Sequence, residues 1–187
     1  VTAPHAPLQA RDQGAGPSFS RRNRIERALF MAVWTIGASW TPPPLHRWRC
    51  LILRLFGARI GAGVRIYGST IVWHPANLTI ESGTTIGPRV RLYNQGAIHI
   101  GERAVISQGA HICASSHDVS DLNFQLILKP IRIAAQAWIA ADAFVGPGVT
   151  VGEGAVLGAR GVAVRHLDPW TIYSGNPAQV VRPRVLR

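Results

Sequence analysis

From Ile60 onward aliphatic residues recur at a spacing of six, in successive runs. Ile60, Ile66 and Val72 open the series, and Ile80, Ile86 and Leu92 and then Ile100, Ile106 and Ile112 continue it. After a gap it resumes as Ile133, Ile139, Val145, Val151, Leu157 and Ala163. A helix cannot keep such a period on one face, whereas a strand of alternating residues that turns after each sixth residue can. Four residues beyond the aliphatic position comes a small or β-branched side chain, among them Thr84, Ala104, Ala110, Ser116, Ala137 and Ala155. These are expected to point inward near a corner. Glycine often follows the aliphatic residue, as at Gly61, Gly101 and Gly152, and is expected to permit tight backbone geometry there. Three such strands close a triangular coil of about eighteen residues, and stacked coils share one core. The pattern predicts an all-β fold, a parallel β-helix of hexapeptide repeats.

Before Ile60 the texture differs. Residues 1–20 are rich in Pro, Ala, Gly and Gln and read as a flexible arm. Residues 21–40 and 45–56 read as helices, split by Pro42-Pro43-Pro44. In the second, Leu45, Trp48, Leu51, Ile52 and Leu55 fall at helical spacing with arginines between them. The organisation expected is an arm (1–20), a helical segment (21–58), a β-helix (59–174) carrying a loop (118–132), and a tail (175–187).

The gap in the repeat holds a histidine. In the turn beginning at Ile112, Ser116 takes the small inward position, so His117 points outward. The next aliphatic residue falls due at Asp118, and the register returns only at Ile133. The intervening stretch, DVSDLNFQLILKPIR, is a long excursion for a compact fold, and such loops tend to carry function. A solenoid has little concave surface. A histidine beside a projecting loop gives it a cleft, with a neighbouring subunit as a second wall.

Composition narrows the class. A hydrophobic content of 47% excludes a disordered chain. The formal charge of +11 favours anionic partners such as a phosphorylated ligand, nucleic acid or an acidic membrane surface. Aromatics do not alternate with basic residues as on a nucleic-acid platform, so no nucleic acid is expected as a partner. Cys50 and Cys113 have neither metal-ligand spacing nor a disulfide framework, which points to free thiols in a reducing, cytoplasmic setting. The apolar run ALFMAVWTIGASW follows SRRNRIER but is shorter than the about 20 residues of a bilayer span. It reads either as a helix packed on its own domain or as one lying on the inner membrane face.

Residues 60–183 resemble the hexapeptide-repeat acyltransferases. The likeness rests on the repeat, on SSHDV, on AWIAADAFVGPGVTVGEGAVLGARGV and on SGNPAQVVR. LRLFGARIG and WTIYSGNPA are similar to the branch of sugar O-acetyltransferases assigned to colanic acid and other exopolysaccharides, which is related to the maltose, galactoside and nodulation enzymes. The resemblance implies a left-handed coil, a homotrimer with a site at each subunit interface, and direct acetyl transfer from acetyl-CoA to a sugar hydroxyl without a metal. The acceptor would be a glycan that is lipid-linked or nucleotide-linked. His117 matches the catalytic base, and imidazole suits proton abstraction near neutral pH. Asp118 is not expected to orient it, because neighbours in extended chain point oppositely. Asn94 matches an acceptor-binding asparagine, with a turn role as the alternative. Trp138 matches an aromatic residue beside the donor channel, and Ala141, Gly158 and Ala159 match positions lying against the pantetheine arm. Arg165 and Arg182 match basic residues near the CoA phosphates. Val164 and Gln179 depart from the threonine and basic residue that relatives carry, and Arg160 and Arg184 could compensate.

Two other readings stay open. His99 and His117 lie eighteen residues apart, one expected coil, and His111 holds the same position on another face. That pattern would suit a zinc hydratase of the γ-carbonic-anhydrase type, given three converging ligands. A basic solenoid could also serve as a non-catalytic scaffold at a membrane.

Overall fold

A computed structural model describes residues 18–186 of the chain. Helices α1 (Arg21–Gly37) and α2 (His46–Leu55) precede a three-sided prism of short parallel strands. The first face stacks Arg59–Ile60, Leu78–Ile80, Ile98–Ile100, Ile131–Ile133 and Thr150–Val151. The second runs from Arg65–Ile66 to Thr171–Ser174, and the third from Ile71–Val72 to Val162–Ala163. Most of the expected flexible arm, residues 1–17, lies outside the described residues.

The sixth-position residues form the core as three ladders. Ile60, Ile80, Ile100, Ile133 and Val151 stand in register on the first face. Ile66, Ile86, Ile106, Ile139, Leu157 and Tyr173 do so on the second, and Val72, Leu92, Ile112, Val145 and Ala163 on the third. Each inward Ile or Leu contributes roughly 1.5–3 kcal/mol of apolar burial. Thr84, Val90, Ala104, Ala110, Ala137, Ala143 and Ala155 fill the corners and are buried.

Three details differ from the sequence pattern. The steps from Ile60 to Ile80 and from Ile80 to Ile100 are twenty residues, while Ile133 to Val151 is eighteen. The first of these longer coils holds a 3-10 turn, Pro75–Asn77. The glycines after the aliphatic residues serve close approach between coils: a Cβ on Gly101 would lie 2.6 Å from the Ala135 nitrogen, and one on Gly152 2.5 Å from that of Pro169. The left-handed backbone falls elsewhere, two residues later, at Gly63, Arg103, Asp142 and Arg160 among others.

The third difference concerns α2. Its inward face is Arg49, Cys50, Ile52 and Leu53. Leu45, Trp48, Leu51 and Leu55 are instead exposed. Arg49 is fully buried and acts as a clamp. Its Nε donates to the Ile66 carbonyl at 2.6 Å, and its terminal nitrogens donate to the carbonyls of Thr41, Pro42 and Pro43. A guanidinium with its donors satisfied is tolerated inside where an unpaired one is not. Helix α1, capped by Ser20, packs Phe30 and Trp34 inward. At the other end of the chain Gln179–Pro183 folds back antiparallel onto Thr171–Ser174, so much of the expected tail is an edge strand of the second face.

Candidate active site

At Ala114 the chain leaves the prism between its third and first faces. Ser115–His117 pairs antiparallel with Leu126–Leu128, and the excursion is a projecting hairpin. The hairpin changes the local alternation. Ser115 is buried and Ser116 exposed, so the inward position expected for Ser116 is not taken, because this strand no longer belongs to the coil. His117 is exposed, facing outward.

His117 Nδ1 lies 2.6 Å from the Phe124 carbonyl oxygen. A carbonyl only accepts, so Nδ1 carries the proton and Nε2 keeps a free lone pair. The imidazole also stacks on the Phe124 ring, with centroids 4.8 Å apart and planes 15° from parallel. Phe124 has φ of 51°, a left-handed conformation that costs a non-glycine residue about 1–2 kcal/mol. The Asp118 carboxylate accepts from the Ser120 N–H at 2.9 Å and so serves the hairpin turn. A backbone carbonyl, not a carboxylate, orients the histidine.

Beside His117 is a cleft of about 500 Å³ between the hairpin, the third face and the start of α1. Arg24 and Arg27 of α1, with Tyr93 and Gln95, line it. The Gln95 amide donates to the Tyr93 hydroxyl at 3.1 Å, while its buried Oε1 has no hydrogen-bond partner. The Arg27 guanidinium sits 3.8 Å from the Trp73 ring centroid, with its Nε buried and unpartnered. Burial draws the Arg27 pKa down from the usual arginine range. Gln95 and Arg27 thus line one small cleft with an amide and a guanidinium, groups that suit a ligand rich in hydroxyls.

Asn94 does not reach this cleft. Tyr93 ends its strand facing outward, and Asn94, just beyond it, turns inward and is fully buried. Its Oδ1 accepts from the N–H groups of Trp73 and His74, at 2.9 and 3.2 Å. This fastens one coil to the next, so the turn role is the one its contacts support. The sequence reading missed Gln95 beside it, as well as Tyr93 and Arg27. The LYNQG stretch held two of these, but only the folded chain distinguishes them from Asn94.

The remaining residues lie on other edges. Trp138 is exposed on the second face and donates to the Ser107 hydroxyl at 2.9 Å. Ala141 and Ala159 stack one coil apart at the edge between the second and third faces, where the Arg160 N–H donates to the Ala141 carbonyl. With Gly158 they leave a column free of large side chains. Arg165 is exposed beyond the third face, and Arg182 is exposed on the added antiparallel strand. One terminal nitrogen of Arg184 is engaged by the protein itself. It donates to the carbonyls of Gln136 and Gly154, binding the C-terminal strand to the coils.

The excursion also separates the histidines. The first-face residue that follows His99 is Arg132, not His117, so their spacing of eighteen does not place them one coil apart. His99 pairs with Glu81 at 2.9 Å. His111 lies on the third face between the rings of Tyr93 and Phe144. Among the described residues no group of three His, Cys, Asp or Glu side chains is placed to hold a metal ion.

Comparison with known proteins identifies the group. No protein-family model matches the chain. The chain is 42% identical over 167 residues to a protein of Escherichia coli (strain K12) named as a colanic acid biosynthesis acetyltransferase, WcaF, covering 89% of this chain and 92% of that one. It belongs to this acetyltransferase family. The fold is that of the hexapeptide-repeat acetyltransferase VCA0836 of Vibrio cholerae, with a TM-score of 0.81 at 21% identity over 89% of this chain and 95% of that one. A galactoside acetyltransferase in complex with coenzyme A superposes with a TM-score of 0.80 at 17% identity, covering 89% and 84%. The prism is therefore the left-handed parallel β-helix of hexapeptide acetyltransferases, and the chain is an acyltransferase of that group.

Proposed function

We propose that this acetyltransferase uses acetyl-CoA to acetylate a sugar hydroxyl in the synthesis of colanic acid or a related exopolysaccharide. The observation that carries the reading is His117. Its Nδ1 is held by the Phe124 carbonyl, and its free Nε2 stands at the mouth of a cleft with unpartnered hydrogen-bonding groups. Nε2 takes the proton of the acceptor hydroxyl as that oxygen attacks the thioester carbon. Backbone N–H groups along the coil edge stabilise the oxyanion. As the intermediate collapses the C–S bond breaks, and the imidazolium returns the proton to the sulfur. No covalent enzyme intermediate is needed. Gln95, Tyr93 and Arg27 hold the acceptor, the role first given to Asn94. The column of Ala141, Gly158 and Ala159, with Trp138 beside it, takes the pantetheine arm, and Arg165 and Arg182 take the phosphates. A solved VCA0836 complex contains acetyl coenzyme A, and the relative's name supplies the colanic acid context.

His117 and the donor column stand on different edges of one prism, with the third face between them. This supports a homotrimer in which one subunit's donor column meets the next subunit's His117. The helical segment, β-helix and added strand act together as one transferase unit of residues 21–187. No helix of the described residues is long and apolar enough to cross a membrane. Ile25, Leu29 and Ile36 of α1 and Trp48, Leu51 and Leu55 of α2 are exposed, with Trp40 between the helices and arginines interspersed. This surface supports peripheral contact with the anionic inner face of the cytoplasmic membrane, where a lipid-linked acceptor would be presented.

The deciding assay measures acetyl-CoA consumption against free sugars, nucleotide sugars and lipid-linked glycans for wild type and His117→Ala. Transfer to one acceptor, lost in the variant, is expected. Wild type that binds no CoA and acetylates nothing would overturn the reading. Full activity on a free nucleotide sugar without liposome binding would overturn the membrane part alone.

A further inference from the structure

A second, larger cavity of about 1000 Å³ lies under α1, against the first face of the prism. Neither His117 nor any other residue of the acetyl-transfer site lines it. What it contains is unusual for a gap between packed elements. Asn23 is 3% exposed, and among the described residues neither its amide oxygen nor its amide nitrogen has a hydrogen-bond partner. His74 is 6% exposed with Nδ1 unpartnered, and His99 has a buried, unpartnered Nδ1. Four buried polar atoms thus belong to three residues, from separate elements, that line the same cavity. Native structures pair nearly all such atoms, so a concentration of exceptions needs an explanation.

The charge around the cavity is one-sided. Arg59, Thr79, His99 and Arg132 stand in register on consecutive strands of the first face. Of the carboxylates nearby, Glu26 is paired with Arg22 and Glu81 with His99. Arg59 and Arg132 have no carboxylate or hydrogen-bond partner among the described residues and are left as uncompensated guanidiniums. Burial holds the His74 pKa below the ordinary imidazole value, so at neutral pH it offers directional hydrogen bonding rather than charge.

We propose that this cavity is a second ligand site for a saccharide carrying an oxyanion, a phosphate ester or a carboxylate. Arg59 and Arg132 hold the anionic group, for which the guanidinium fork is suited. Asn23, His74 and His99 meet the hydroxyls: the amide of Asn23 supplies one donor face and one acceptor face. The site shares α1 with the acetyl-transfer cleft, so a glycan bound here is fixed relative to His117 through a rigid element.

The test is calorimetric titration of the full chain with glucose 1-phosphate, with glucuronate and with glucose. Binding of at least one anionic probe is expected, with glucose at least tenfold weaker. Glucose 1-phosphate alone would assign a phosphate and glucuronate alone a carboxylate. Arg59→Gln and Arg132→Gln change exposed strand positions without touching the core, and each should weaken the anionic probe at least tenfold. Asn23→Ala should do likewise if it folds. Gln95→Ala, in the other cleft, should leave this binding in place. The proposal is overturned if neither anionic probe binds, if glucose binds as well as they do, or if both arginine variants bind like wild type. Acetyl transfer plays no part in the readout, so this proposal and the assigned reaction fail separately.

Discussion

Two edges of the prism have opposite characters. The edge between the second and third faces is regular: Ala141 and Ala159 repeat one coil apart, each followed by a left-handed residue, Asp142 and Arg160. The edge between the third and first faces is interrupted by a hairpin that carries His117 and a left-handed Phe124. A thin, extended donor can lie along a periodic surface, because each coil repeats the same backbone spacing. An acceptor must be held at one point and deprotonated there, which needs side chains that do not repeat. The contrast shows how a solenoid with almost no concavity obtains a site. It keeps one edge uniform and breaks the period on another.

The comparison can be broken at the irregular edge first. His117→Ala should lower kcat/KM by about 10²- to 10⁴-fold, the range for a positioned general base, with little change in thermal unfolding. Retained activity would remove His117 from the chemistry. Ile106→Ala, in the core beneath both edges, should cost about 2–5 kcal/mol of stability in denaturant titration. A much smaller loss would mean that the coils do not share a close-packed core.

Smaller effects sharpen the contrast. Ala159→Leu places a branched side chain on the uniform edge and should raise KM for acetyl-CoA about tenfold, while acceptor KM holds, if the donor lies there. Gln95→Ala should do the reverse and raise acceptor KM by about fivefold, the scale of one hydrogen bond. Similar shifts in both constants from either variant would dissolve the assignment of edges to substrates. The smallest effect concerns acid. Burial lowers the pKa of His74 and His111 in the folded chain, so the unfolded chain binds protons first. Stability should be full above the ordinary imidazole value and decline as pH falls below it. His74→Gln should flatten part of that decline in a series of melts.

Much of this architecture is legible in the residues. The ladder from Ile60 to Ala163 follows from the spacing of six within each run, because a period of six fits only short strands turned at regular intervals. The excursion after His117 was legible for the same reason: a broken period is as visible as a kept one, although the inward place it assigned to Ser116 is not taken. The fastening role of Asn94 was not, since only the folded chain shows which residues of LYNQG turn inward. The outward face of α2 was hidden too. Its leucines and Trp48 mark an apolar stripe, yet Arg49 fills the buried position because it caps carbonyls that the prolines leave free.

The sequence by itself determined the coil, its core and the place where the period fails, since these depend on local alternation and side-chain volume. Only the tertiary structure decided which atom orients His117, which of three adjacent residues faces the cleft, and that Arg132 rather than His117 follows His99. Those depend on how far the chain travels between coils. The twenty-residue coils and the hairpin change that distance without changing the six-residue pattern that flanks them.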